Sequence, residues 1–75
     1  MNERRVHRLQ KKFSLSKREI EVLKLISTCQ TDREISEYLF VSAMTIGKDI
    51  RNIKNKLGLK THVELGIFAY KNKIK

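Results

Sequence analysis

Met44, Lys48, Arg51 and Asn55 carry the side chains of this 75-residue chain best placed to act on another molecule. At about 100° per residue they form one stripe of a helix through residues 42–57. Ile46, Ile50, Ile53 and Leu57 form the opposite stripe. One side is built to sit on a core, and the other to meet a polar, anionic surface. A nucleic-acid groove is such a surface, since a guanidinium can donate two hydrogen bonds to the edge of guanine.

Bond-making chemistry finds no support. The acidic residues Glu19, Glu21, Asp32, Glu34, Glu37 and Glu64 sit mainly at helix starts, where capping and the helix dipole account for them. His7 and His62 have no partner at catalytic spacing, and no Gly-rich phosphate loop is present. Two histidines and one cysteine at no ligand spacing argue against a structural metal. No cofactor is implied and no enzyme is expected. Cys29 is alone, so it cannot form a disulfide within the chain; it reads as a small buried hydrophobe in a reducing compartment. No apolar run approaches the length of a membrane span, so the expected address is the cytoplasm, on the nucleoid when bound to DNA. Two tyrosines and three phenylalanines fall mostly at apolar helix positions, leaving no stacking platform for RNA.

The net charge of +9 is unevenly placed. Residues 1–13 hold five basic groups against one acidic, and residues 42–58 hold four against one. Residues 71–75 add three lysines, whereas 14–41 and 59–70 are close to neutral. Basic charge gathered on the candidate reading helix and the two ends is the footprint of a polyanion binder.

The elements that must hold this helix are legible from their caps. Ser16 with Glu19, Thr31 with Glu34 and Thr61 with Glu64 are three capping boxes, each before a periodic apolar segment. Ser42 caps the reading helix and Gly58 closes it. The first boxed helix buries Val22 and Ile26 and ends near Thr28; the second presents Ile35, Tyr38 and Leu39. Only Phe40 and Val41 separate that second helix from Ser42. Helices joined so closely cannot fold back antiparallel, which predicts a helix-turn-helix crossing. Residues 14–75 are thus expected as one all-α, four-helix domain, and residues 1–13 as a basic N-terminal arm, disordered or weakly helical when free.

The last helix has two apolar stripes. Leu65, Phe68 and Ala69 make one, and Val63, Ile67, Tyr70 and Ile74 make the other, with Gly66 beside it. A domain this small cannot cover both sides of a terminal helix. The second stripe is therefore expected to be a homodimer interface formed by Val63, Gly66, Ile67, Tyr70 and Ile74.

The run LSKREIEVLKLI, then DREISEYLFVS, then TI-x-x-DI-x-NI-x-x-KLGL and HVEL, resembles the LuxR-type helix-turn-helix domain of the NarL/FixJ/GerE group. The resemblance spans residues 15–70, and a chain of this length looks most like the small stand-alone GerE-type regulators. It implies DNA binding as a dimer, with the third helix in the major groove and the fourth at the dimer contact. Carried over by position, base-edge contacts fall at Gly47, Lys48 and Arg51, beside Met44 and Asn55 on the stripe. Phosphate contacts fall at Ser42, Thr45, Lys54, Lys56 and Arg33. Three positions depart from the family pattern: Gly47 stands where Lys or Arg is usual, Asp49 where His is common, and Cys29 where Gly is usual. A glycine there removes one contact, and a carboxylate near phosphates would repel them.

The reading that follows is a sequence-specific double-stranded DNA-binding transcriptional regulator acting as a homodimer on a two-fold site. RNA polymerase and other regulators are its further candidate partners. The rival is a protein-interaction module of the same fold that sequesters or antagonises another regulator, using Gly47 and Asp49 to weaken a DNA surface.

Overall fold

The three capping boxes close in the computed structural model, which describes residues 3–28, 31–72 and 74. At the first, Ser16 Oγ accepts from the Glu19 amide at 3.0 Å, and Glu19 Oε1 accepts from the Ser16 amide at 2.7 Å. The same exchange joins Thr31 to Glu34 and Thr61 to Glu64. Each box satisfies amides that a helix start leaves without partners. Five helices result: α1 Glu3–Phe13, α2 Lys17–Ser27, α3 Asp32–Leu39, α4 Ala43–Leu57 and α5 His62–Lys71.

The extra helix is α1, at the place where a weakly ordered arm was expected. Its Val6, Leu9 and Phe13 pack on the core, and the Phe13 ring meets Phe68 of α5 edge-on at 5.9 Å. A short, highly charged helix is marginal alone, but an apolar stripe that finds a surface is held by packing rather than by propensity. Ser14, at φ 55°, turns the chain out of α1, and the Leu15 amide bonds back to the Gln10 carbonyl at 2.9 Å.

Helix α2 lies at the centre and packs against α3, α4 and α5. Its Ile20, Val22, Leu23 and Ile26 meet Ile35 of α3, Ile46, Ile50 and Ile53 of α4, and Leu65 and Ala69 of α5 in one buried cluster. Cys29, expected in this core, lies outside the described residues. The α3–α4 turn is as short as the sequence implied. It is made by Phe40 in the left-handed conformation (φ 58°), with the Val41 amide bonding to the Ser36 carbonyl at 3.0 Å. Gly58, also left-handed at φ 69°, closes α4. A side chain would be strained there.

Two apolar assignments are corrected. Tyr38 is 65% exposed, because Ile35 and Leu39 already fill the narrow inward face of a two-turn helix. Ile74 leaves the outer stripe of α5 because the helix stops at Lys71. Asn72 caps that end through Phe68, and the Ile74 amide bonds to the Ala69 carbonyl at 2.8 Å, which folds Ile74 fully into the core.

The first capping box is also tied to α4. Lys56 Nζ donates to Glu19 Oε1 at 2.7 Å and to the Ser14 carbonyl at 2.8 Å. Burial pushes the Glu19 carboxyl up, but the hydrogen bonds from Lys56 and Ser16 outweigh it and hold the group below its ordinary 4.5. A carboxylate lowered in the folded state contributes stability that is complete above pH 4.5 and disappears as pH falls through the folded value. Lys56→Met should therefore destabilise the protein at pH 7 by about 1–2 kcal/mol, a charged hydrogen bond discounted for the partly exposed ammonium. The gap between variant and wild type should narrow at pH 3. Denaturant unfolding at both pH values measures it, and an equal gap at the two would count against the pairing.

Candidate nucleic-acid interface

Helix α4 divides cleanly around its circumference. Ile46, Ile50 and Ile53 are buried, and Leu57 is half-buried against the same core. On the far side Met44 is 86% exposed, and Lys48, Arg51 and Asn55 all face solvent. Among the described residues, neither Lys48 nor Arg51 has an ion-pair partner, so both cations are available to an incoming anion. The stripe read from the sequence is thus a continuous exposed surface about 16 Å long, at 1.5 Å of rise per residue.

Between the two faces runs a flank that binds α4 to α2. Arg18 Nη2 donates to Asp49 Oδ1 at 3.1 Å, and its Nε lies 2.8 Å from Asp49 Oδ2. Two turns further along α4, Lys56 meets Glu19. Adjacent residues of α2 with opposite charges therefore meet two residues of α4 with the complementary charges. This corrects the expectation for Asp49: it is buried, paired with Arg18 and withdrawn from the outer face, so its charge is neutralised within the fold. Lys56, expected at a phosphate, is engaged by Glu19 and the Ser14 carbonyl. No local sequence signal foretells these pairs, whose partners stand 31 and 37 residues apart. The only hint is that positions 49 and 56 share one flank of a helix.

The remaining phosphate candidates are variously placed. Ser42 is the α4 N-cap: its Oγ accepts from the Thr45 amide at 3.1 Å and lies 2.9 Å from Thr45 Oγ1, so one hydroxyl donates to the other. Lys54 is half-buried in the last turn of α4. Arg33, on the exposed side of α3, has its Nε 3.3 Å from Glu37 in a solvated pair of little strength. Gly47 is half-buried beside the stripe, and a Cβ built on it would meet nothing within 4 Å.

A second surface lies on α5. Val63, Ile67 and Tyr70 are 70%, 50% and 71% exposed. Together with Ile26 and Gly66 they line an open apolar groove of about 620 Å³ between α2 and α5. Helix α1 packs elsewhere, through Phe13 on Phe68, and leaves this stripe bare. His62 Nδ1 lies 3.9 Å from Asp32 Oδ1, a contact between two exposed helix starts. Among the described residues no helix is long and apolar enough to cross a membrane, and no cluster of His, Cys, Asp and Glu could hold a metal ion.

Residues 13–69 match the family model described as bacterial regulatory proteins, luxR family. The chain is similar to the transcriptional regulatory protein LiaR of Bacillus subtilis (strain 168), with 39% identity over 59 residues, 79% of this chain and 28% of the relative. It is also similar to the oxygen regulatory protein NreC of Staphylococcus aureus (strain JH9), with 47% identity over 60 residues, 80% of this chain and 28% of the relative. The chain thus spans a little over a quarter of the length of these relatives. No solved structure gives a significant match.

The open space at Gly47 makes a clean test of whether this glycine serves the fold. Gly47→Ala should stabilise the protein by about 0.8–1 kcal/mol, the cost of a glycine inside a helix. Thermal unfolding reads this as a raised Tm; a lowered Tm would show that the glycine is required.

Proposed function

The chain belongs to the luxR family of bacterial regulatory proteins, DNA-binding transcription regulators, and from that premise we propose that it reads a specific duplex sequence as a homodimer, with α4 in the major groove. The observation that carries this reading is the outer stripe of α4. Lys48 and Arg51 stand exposed and unpaired on one line with Asn55 and Met44, directly opposite the residues that seat the helix. In the proposed complex Lys48 and Arg51 address base edges, where a guanidinium spans guanine O6 and N7. Asn55 joins them, and Gly47 allows the groove wall to approach closely.

Ser42, Thr45, Lys54 and Arg33 are the proposed backbone contacts, positioning the domain without reading bases. Lys56, paired with Glu19, is left out of this set. The exposed Val63, Ile67 and Tyr70, with Gly66 in the floor of their groove, form the proposed dimer contact. A two-fold dimer would place two copies of α4 about one helical turn apart on the duplex. The rival reading, a module that only sequesters another regulator, drew on Gly47 and Asp49 as signs of a damaged DNA surface. With Asp49 buried against Arg18, half of that support is gone.

In vitro selection from a random duplex pool tests the reading. Wild type should enrich a pseudo-palindromic site and bind it with a steep salt dependence, because phosphate neutralisation releases counterions. Arg51→Ala should lose about 1–3 kcal/mol of binding to that site and relax the preference at one base pair. A pool that stays random would overturn sequence-specific reading. For the dimer, Ile67→Asp places a carboxylate on a half-exposed position and so spares the core. It should sediment as a monomer and lose cooperative occupancy of the two half-sites, with its helical circular dichroism unchanged.

A further inference from the structure

We propose that Met44 recognises the C5-methyl group of a thymine in each half-site. This rests on α4 being the groove-reading helix and names the base feature that its first turn selects. Met44 is a large apolar side chain left 86% exposed, while the other large apolar side chains of α4 are drawn into the core or half-buried against it. It stands on the same stripe as Lys48 and Arg51, one and two turns further along. Whatever surface those cations meet, Met44 meets as well.

The chemistry of that surface narrows what Met44 can contact. Each base pair shows hydrogen-bond donors and acceptors in the major groove, and the thymine methyl is the one apolar group among them. A thioether offers no donor and only a weak acceptor. Set against the amino group of cytosine or adenine, or against the O6 and N7 acceptors of guanine, Met44 would strip water from a polar edge and return no hydrogen bond. Against a methyl group it covers apolar surface at no such cost, and its flexible, polarizable chain adapts to the contact.

Its polar neighbours do not compete for the same edge. The Ser42 and Thr45 hydroxyls lie 2.9 Å apart and Ser42 Oγ also takes the Thr45 amide, which ties both to the helix start, where their proposed role is to contact the phosphate backbone rather than a base. Seven residues separate Met44 from Arg51, about 10 Å of helix. That corresponds to about three base-pair steps of 3.4 Å each. The thymine therefore lies within about three base pairs of the guanine that Arg51 contacts.

The test uses the full chain and the duplex enriched by selection, with each thymine of a half-site replaced in turn by uracil. That exchange removes the methyl and leaves every hydrogen-bonding group in place. Wild type should bind about fourfold more weakly at one such position, the effect of one buried methyl-sized group. Met44→Ala, which alters only an exposed side chain, should bind thymine and uracil duplexes alike. Wild type that tolerates uracil at every position of a sharply preferred site overturns the methyl contact and leaves the regulator reading standing. Retained uracil sensitivity in Met44→Ala also overturns it, since another group would then hold the methyl. A selection that yields no preferred site overturns both readings together.

Discussion

Ile46, Ile50 and Ile53 of α4 are buried in the cluster that α2 organises, and the position of every outward-facing group on α4 follows from that seat. Burying a side chain of this kind is worth about 1.5–3 kcal/mol, so three of them outweigh any polar contact in the region. An apolar stripe settles which side of a helix faces inward but is less strict about its position along the axis. The crossed charges supply the missing restraint. Arg18 with Asp49 and Glu19 with Lys56 match only in one register, because a slip of one turn would bring neither pair together. The ion pairs add little net stability, as partly buried pairs generally do. They define where the helix stops sliding.

This restraint changes which charges reach the outer surface. Seven charged or amide side chains could have shared the presentation of α4, yet Asp49 and Lys56 are turned toward α2 and paired there. The face that remains holds Lys48, Arg51, Asn55 and Met44, with Lys54 at its edge. It is cationic without an opposing carboxylate, as a surface that must approach phosphates requires. The same economy applies at the helix starts. Glu34 is held below its ordinary value by the Thr31 amide, and Glu64 by the Lys60 and Thr61 amides. Three of the acidic residues in an otherwise basic chain, Glu19, Glu34 and Glu64, serve as capping groups.

The termini follow a related logic. Helix α1 adds Val6, Leu9 and Phe13 to a core that a small chain would otherwise leave thin, and Ile74 adds to it from the other end. Both additions stop short of Val63, Ile67 and Tyr70. These exposed apolar residues, gathered along one helix beside a groove, are the surface proposed for the dimer contact. The fold thus presents two separate surfaces on two helices, one charged and one apolar, both held by α2.

Much of this was legible from local sequence because the signals involved are local. Capping boxes act over three residues, apolar periodicity over four, and Gly58 ends a helix through its own backbone. These determined the starts of α2, α3, α4 and α5, the inner and outer stripes of α4, and the exposed stripe of α5. Other features required the tertiary structure, because they depend on residues brought together from far along the chain. The helical state of residues 3–13 depends on the surface that receives Phe13. Tyr38 is left in solvent because a short helix has room for only Ile35 and Leu39 beneath it, and Ile74 is buried because α5 ends three residues before it. The pairing of Asp49 and Lys56 is hidden for the same reason: charge is visible in a sequence, but its partners stand 31 and 37 residues away.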